Sequence, residues 1–144
     1  MTAAFPVSER NKVRRLHERG RYDKDGVYAV LDAAMLCHIA YVIDGQPYCT
    51  PTAFWREGDH LYWHGSSASR MLRCQKPGLA VCLTVTHLDS LVLARCGFNH
   101  SVDYRSAMCF ARRTWSRIRR RRSAPSTAWS TVSIRAAPRS RTRR

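Results

Sequence analysis

The sequence predicts a mainly β fold with flanking helices, built as a six-stranded antiparallel barrel of the α+β kind. Short apolar runs of strand-like composition follow one another between residues 36 and 110, tight turns separate them, and two helical patterns precede them. Sequential strands joined by short turns favour an antiparallel meander, and small meanders usually close into a barrel. A chain of 144 residues has room for one such domain.

Two helices are predicted before the first strand. Ser8 is placed to cap a charged surface helix that runs to about Glu18 and stops at Gly20. Asp23 is placed to cap a second helix, in which apolar residues recur at positions 27, 30, 31 and 34. That spacing gives the second helix one apolar face, which can pack on a sheet.

From Leu36 the pattern becomes that of strands. The Asp44-Gly45 pair is a strong signal for a two-residue hairpin between the first two strands. The predicted strands are Leu36–Ile43, Pro47–Trp55, His60–His64, Leu79–Thr86, Ser90–Arg95 and Tyr104–Phe110, with a short helix from Ser66 to about Gln75.

Composition narrows the function classes. No apolar run approaches the roughly 20 residues of a membrane span, and the first residues do not resemble a signal peptide. The six cysteines are scattered without a Cys-x-x-Cys pair, so no metal site is predicted and buried free thiols are expected. These features predict a cytoplasmic protein with no membrane association.

The junction between the third strand and the following helix is the most informative segment. A strand rich in aromatic residues runs into Gly65-Ser66-Ser67-Ala68-Ser69, and Arg70 follows at the start of the predicted helix. Hydroxyls, free backbone N–H groups and a guanidinium at one point form a phosphate site. A helix N-cap beside a surface arginine is the simpler alternative, but three serines exceed what capping needs.

Short segments in a fixed order over about a hundred residues resemble a known family. They are Arg19-Gly20-Arg21-Tyr22-Asp23, Leu31-Asp32-Ala33-Ala34, Cys37-His38-Ile39-Ala40, Asp44-Gly45-Gln46-Pro47-Tyr48, Pro51-Thr52 with Trp55, Gly58-Asp59-His60-Leu61-Tyr62-Trp63-His64, Ser69-Arg70 and Tyr104-Arg105-Ser106. In this order, residues 10–110 resemble the pyridoxamine 5'-phosphate oxidase-like FMN-binding split-barrel family. The flavin-nucleotide-binding or nitroimidazole-reductase-like branch is the most similar one.

The resemblance implies a split barrel, a homodimer and FMN bound at the subunit interface. It implies that Thr50, Pro51 and Thr52 contact the flavin ring through their backbone, and that Trp63 and His64 border the ring and the ribityl chain. It assigns the phosphate to Ser66, Ser67, Ser69 and Arg70. Met71 also belongs to this predicted site, and it stands where family members commonly carry Lys or Arg, which lowers the expected FMN affinity.

His64 is the candidate catalytic residue, because related proteins have a functional histidine at this kind of strand end. For several residues a structural role is the alternative. Taken alone, Trp63 is better explained by core or interface packing, His64 by a hydrogen-bonded strand position, and His38 by a structural role rather than ligand binding. Two further groups stay open between ligand contact and a structural role: Arg21 with Tyr22 and Asp23, and His100 with Ser101, Tyr104 and Arg105.

The implied activity is that of a flavin-dependent oxidoreductase, which passes hydride from a nicotinamide through FMN to a small acceptor. The flavin carries the redox chemistry in such proteins, so no conspicuous acid or base pattern is required. A deazaflavin and haem remain alternative ligands, because similar barrels bind them. A truncated remnant without turnover and a basic nucleic-acid-binding protein are the alternative functions.

The charge of the chain is concentrated at its end. Residues 1–110 carry 13 Lys and Arg against 10 Asp and Glu, a net charge of +3, whereas residues 111–144 carry 12 Arg and no acid, which completes the total of +15. We therefore divide the chain into a domain at 1–110 and an arginine-rich tail at 111–144. The tail is predicted to be disordered, and it can bind nucleic acid only through non-specific contacts with phosphates.

A shifted reading frame is the second explanation of the tail. With suitable synonymous codons, residues 114–121 read two bases later as Leu-Val-Glu-Asp-Pro-Ala-Glu, and residues 124–137 read as Ala-Leu-Asp-Gly-Met-Val-Asp-Arg-Phe-Tyr-Pro-Gly-Arg. These peptides resemble a strand end and an amphipathic helix. Under this hypothesis the barrel is incomplete at its C-terminus and leaves an exposed sheet edge. Resequencing the gene tests it, because the absence of an intact second frame would refute it.

Overall fold

The computed structural model describes residues 3–66, 68–74, 77–115 and 129–136. Its six strands are β1 (Leu36–Ile43), β2 (Gln46–Glu57), β3 (His60–Ser66), β4 (Ala80–Val92), β5 (Ser101–Trp115) and β6 (Trp129–Ala136). They form a closed barrel in the order β1-β2-β3-β6-β5-β4, and every neighbouring pair is antiparallel. The predicted fold class, a mainly β antiparallel barrel with few helices, is confirmed.

The prediction of two separate strands at 79–86 and 90–95 is wrong. β4 runs without interruption through this region and pairs with β5, with a register shift between Leu88 and Ser90. Asp89 is the extra residue of this bulge. Its carboxylate accepts bidentate hydrogen bonds from the guanidinium of Arg105 on β5. The polar residues that resemble a turn in the sequence are therefore accommodated as a β-bulge.

The second predicted helix is confirmed as α1 (Lys24–Asp32). The carboxylate of Asp23 accepts a hydrogen bond from the backbone N–H of Gly26 at 2.8 Å, which is the predicted N-cap. Leu31 carries the apolar face of α1 into the barrel core.

The helix predicted from Ser8 to about Glu18 is wrong. Only a 3-10 turn over His17–Arg19 forms there, and Leu16 before it has a φ of 52°, which an α-helix excludes. The backbone N–H of Val13 donates instead to the hydroxyl of Tyr22 at 2.8 Å. A tertiary contact has replaced the local helical hydrogen bond.

The short helix α2 (Arg70–Cys74) begins later than predicted, because Ser66 belongs to the end of β3. Ser69 rather than Ser66 caps it, since the Ser69 hydroxyl oxygen accepts a hydrogen bond from the backbone N–H of Leu72 at 3.2 Å. Gln75, the predicted last residue, lies outside the described residues.

The core fills the inside of the barrel. Its largest fully buried side chains are Trp63, Ile39, Leu83, Val85 and Cys37. Arg113 on β5 is also buried, with 2% of its surface exposed. It lies on the same inward-facing side of β5 as Ala107 and Ala111. Burial lowers the pKa of the Arg113 guanidinium from its ordinary value.

Parts of the predicted tail belong to the barrel. β5 continues past residue 110, and β6 lies between β3 and β5 and pairs with both. The division of the chain at residue 110 stays a prediction, as does the shifted reading frame. The arginine run at 119–122 lies outside the described residues.

The described part of the chain has no membrane-spanning helix and no cluster of metal-ligating side chains. None of its helices is long and apolar enough to cross a membrane. No three His, Cys, Asp or Glu side chains in it are grouped as metal ligands. All six cysteines are free thiols, and burial raises the pKa of Cys37 and of Cys109 to about 12.

We expect removal of residues 116–144 to unfold the barrel, because it deletes β6 and exposes the paired edges of β3 and β5. The shortened chain should aggregate and lose its cooperative urea transition. The control is removal of residues 137–144, which leaves β6 in place. An unchanged urea midpoint for the shorter chain would show that β6 contributes nothing to the fold.

Candidate functional site

A cleft opens between β2 and β3. The two strands pair over four residue pairs only, from Phe54 with Trp63 to Glu57 with His60. Beyond Phe54, residues 46–53 of β2 pair with β1 alone, and residues 64–66 of β3 pair with β6 alone. The backbone groups of β2 that face β3 are therefore outside any strand ladder and are available to water or a ligand.

The cleft brings together two of the predicted site segments. Residues 50–52 form one wall and residues 64–66 form the other. The hydroxyl oxygen of Thr52 lies 3.5 Å from the backbone carbonyl oxygen of His64, so a side chain spans the gap. Pro51 lacks an N–H group and is tolerated because this stretch of β2 is an edge on the side of the cleft.

Thr50 and Pro51 differ in direction, as neighbours on a strand must. The Thr50 hydroxyl lies 3.0 Å from the Tyr41 hydroxyl on the inner side of β1, and Tyr41 stacks on Tyr48 with ring centroids 5.6 Å apart. Pro51 is exposed and lies opposite the exposed His38. The backbone of this segment, rather than its side chains, is thus the part open to the cleft.

One end of the cleft suits an anion. The hydroxyl oxygens of Ser66 and Ser69 accept hydrogen bonds from the backbone N–H groups of Ala68 and Leu72, each at 3.2 Å, and each hydroxyl keeps its own hydrogen to donate. The guanidinium of Arg70 lies over the ring of Tyr48, 4.7 Å from its centroid. Arg70 forms no ion pair with any described residue. Ser67 lies outside the described residues.

Two residues of the predicted site face the barrel interior. Trp63 has 0% of its surface exposed, and its indole N–H has no hydrogen-bond partner among the described residues. Met71 is half-buried and packs against the core. Core packing therefore accounts for both side chains, and their contact with a cofactor stays a prediction.

His64 lies on the outer face, beside an aromatic surface that the sequence analysis did not recognise. Trp55 and Tyr62 stack across β2 and β3 with ring centroids 5.4 Å apart, and the ring of His64 lies 6.2 Å from that of Trp55. His60 adjoins Tyr62 at the other end. The alternation of aromatic residues at 60, 62 and 64 was the available signal.

For two groups of residues the sequence left both ligand contact and a structural role open. Asp23 caps α1, so the structural explanation holds for it, whereas Arg21 is exposed and unpaired among the described residues. Arg105 forms an ion pair with Asp89, and a ring nitrogen of His100 lies 3.0 Å from the carbonyl oxygen of Ala94. The last two contacts are local and do not reach the cleft.

Several solved structures are similar to this chain. Three of them are the flavocytochrome Anf3 from Azotobacter vinelandii, the FAD and heme binding protein from Mycobacterium smegmatis, and a candidate 5-nitroimidazole antibiotic resistance protein from Bacteroides thetaiotaomicron. The first is 36% identical with a TM-score of 0.75, over 90% of this chain and 71% of the other. The second is 27% identical with a TM-score of 0.71, over 80% and 67%. The third, 20% identical with a TM-score of 0.63 over 81% of each chain, shows the shared fold alone.

No curated protein matches the sequence. A family model described as pyridoxamine 5'-phosphate oxidase matches residues 23–142, which spans α1, all six strands and most of the arginine-rich segment. The resemblance found in the sequence is thereby confirmed, and the chain belongs to the pyridoxamine 5'-phosphate oxidase family.

Proposed function

We propose that this protein binds a flavin, with FMN as the specific cofactor, and acts as an oxidoreductase on a small acceptor. One observation carries the proposal. The unpaired edge of β2 at Thr50–Thr52 faces His64 and leads to the two hydroxyls and the guanidinium of Ser66, Ser69 and Arg70. Backbone donors and acceptors thus adjoin an anion site within one cleft.

A flavin mononucleotide matches this arrangement in its chemistry. The polar edge of the isoalloxazine ring alternates N–H and C=O groups. The alternation of the antiparallel ladder from the Asp44-Gly45 turn directs the backbone groups of Thr50 and Thr52 to β1, so the free edge of β2 offers the carbonyl of Pro51 and the N–H and carbonyl groups of Cys49. Two hydroxyl donors and one guanidinium within five residues suit a single phosphate group. When bound, the flavin supplies hydride uptake from a reduced nicotinamide and its delivery to the acceptor.

The similar structures support the flavin part of the proposal. Two proteins more than 25% identical to this chain are named as a flavocytochrome and as an FAD and heme binding protein. Our preference for FMN over FAD rests on the phosphate site of this chain alone. Haem is the second candidate ligand, because one of these proteins is named as a heme binding protein and the other as a flavocytochrome, and His64 is an exposed imidazole beside the cleft.

We assign His64 the role of holding a proton near the acceptor. Its ring lies on the outer face of β3, exposed and supported by Trp55, while its backbone carbonyl borders the cleft. An imidazole at that place can donate or accept a proton as the acceptor is reduced.

A homodimer is part of the proposal. The β4–β5 hairpin extends beyond the barrel and exposes apolar side chains at Leu88, Leu91, Leu93 and Phe98, the last with 94% of its surface open. A patch of this kind marks a protein interface.

Light scattering of the purified protein tests the homodimer by measuring its mass. We expect the mass of two chains, and a monomer at micromolar concentration would refute the homodimer.

The shifted reading frame remains a separate proposal, and with it a truncated flavoprotein remnant without turnover. Arg113 supports it, because a buried arginine interrupts the small apolar residues that face inward along β5. The family match through residue 142 argues against it. Nucleic-acid binding through the tail has no support in the described residues, and a cytoplasmic location stays a prediction.

The direct test is the absorption spectrum of the full chain after incubation with FMN and desalting. We expect the visible bands of a flavin in stoichiometric amount. A colourless protein that takes up neither FMN nor FAD would contradict the proposal. A Soret band without flavin bands would replace flavin by haem.

Replacing Arg70 tests the phosphate site. Because a hydrogen bond to a charged group contributes about 1.5–3 kcal/mol, Arg70→Gln should weaken FMN binding about tenfold or more, measured by quenching of flavin fluorescence. Arg73→Gln is the matched control, since Arg73 is exposed on the same short helix. Equal losses in both variants would indicate a general charge effect and no phosphate site at Arg70.

Replacing His64 tests its assigned role. With reduced nicotinamide as donor and a soluble quinone as acceptor, His64→Gln should lower kcat about a hundredfold, as is usual for loss of a proton-transfer group. The FMN affinity should fall by a much smaller factor than kcat, because the backbone of His64 that borders the cleft is retained. His60→Gln is the control, because His60 is on the same strand where β2 and β3 remain paired. An unchanged kcat for His64→Gln would remove His64 from the reaction.

A further inference from the structure

A second recess lies away from the cleft. The N-terminal arm (residues 5–22), α1 and β5 enclose a groove of about 740 Å³ that shares no lining residue with the cleft walls. Sites for small molecules commonly have volumes of about 300–1,000 Å³. The groove is therefore large enough for a ligand of its own, which the function proposed above does not use.

The arm forms one wall of the groove, and its own hydrogen bonds and packing hold it in place. The backbone N–H of Phe5 donates to the carbonyl oxygen of Tyr22, and that of Val13 donates to the Tyr22 hydroxyl, each at 2.8 Å. The Tyr22 hydroxyl donates in turn to the carbonyl oxygen of Asn11 at 3.2 Å. Gly20 packs so closely on Val13 that a Cβ there would lie 3.3 Å from the valine Cβ. These contacts fold the arm back on itself beside β5.

The groove has uncompensated positive charge. Five cations of the arm line it and form no ion pair with a described residue: Arg10, Lys12, Arg15, Arg19 and Arg21. Three carboxylates also line it. Asp59 and Asp89 form ion pairs with Lys24 and Arg105, whereas Asp103 accepts a hydrogen bond from the Ser90 hydroxyl and keeps its charge, so five unpaired cations outnumber one unpaired carboxylate among the described lining residues. The groove therefore favours an anionic ligand.

The opposite wall is apolar and open. Tyr104 and Met108 on β5 expose 60% and 59% of their surfaces, and Val102 on the same strand is also exposed. The guanidinium of Arg10 reaches across the groove and lies 4.4 Å from the centroid of the Phe110 ring. An occupant needs an apolar, flat part for this wall and an anionic part for the arm.

We propose that this groove binds a nucleotide, with the base against Tyr104 and Met108 and the phosphates against Arg19 and Arg21. The two arginines flank Gly20 in the arm, and both of them line the groove. This site is independent of the flavin cleft.

The test is calorimetric titration of the full chain with ADP, pyrophosphate and adenosine. ADP should bind with one site per chain and a Kd well below about 1 mM, more tightly than pyrophosphate or adenosine, because each of these lacks one half of the recognised ligand. Arg19→Gln and Arg21→Gln should each weaken ADP binding about tenfold, as for loss of a charged hydrogen bond. Tyr104→Ala should weaken it by a similar factor through loss of base stacking.

Two controls keep this outcome separate from others. Arg14→Gln removes a cation of the same arm that is paired with Glu9 and does not line the groove, and it should leave ADP binding unchanged. Arg70→Gln should weaken FMN and not ADP, so failure at one site is distinguishable from failure at the other. No saturable ADP binding would overturn the proposal. So would a short DNA duplex that binds as tightly and is weakened equally by Arg14→Gln, since that indicates non-specific charge attraction.

Discussion

The divergence of β2 from β3 is the constraint on which the rest of the structure depends. The two strands pair near their shared turn and separate after Phe54 and Trp63, and beyond that point β2 pairs with β1 alone. β3 pairs with β6 on its other side along its whole length, and β6 closes the barrel between β3 and β5. The separation exposes the backbone edge of β2 around Pro51. The pairing of β3 with β6 thus holds the second wall of the cleft in the barrel where β2 has left it.

Local signals predicted the elements that local chemistry determines. Asp44 and Gly45 both have positive φ, 49° and 76°, as the two-residue hairpin requires, and Asp23 caps α1. The predictions that failed concern segments whose conformation is determined by contacts with residues further along the chain. The helix expected from Ser8 gives way to a fold around the Tyr22 hydroxyl, and the turn expected near Asp89 becomes a bulge held by Arg105. Neither partner is near in sequence.

The sequence predicted the residue types of the candidate site better than the direction in which each side chain points. Ser66 and Ser69 accept local backbone hydrogen bonds and the Arg70 guanidinium lies over Tyr48, while their common binding of a phosphate stays a proposal. The period of a strand could not show that Trp63 faces inward while His64 faces outward without knowledge of which side is the core. The sequence indicated no groove, because Arg10, Lys12 and Arg15 lie in the segment predicted as a charged surface helix, and Arg21 was left open between ligand contact and a structural role. Their common wall exists only once the arm folds against β5.

Hydrogen exchange of the full chain with and without FMN tests the central claim most directly. If the open edge of β2 holds the flavin, backbone amides in residues 48–54 and 64–74 should exchange more slowly on addition of FMN. Those of the N-terminal arm and of residues 102–110 should not change. Slower exchange confined to the arm and to residues 102–110 would place the flavin in the groove, and no change in either region would contradict flavin binding altogether.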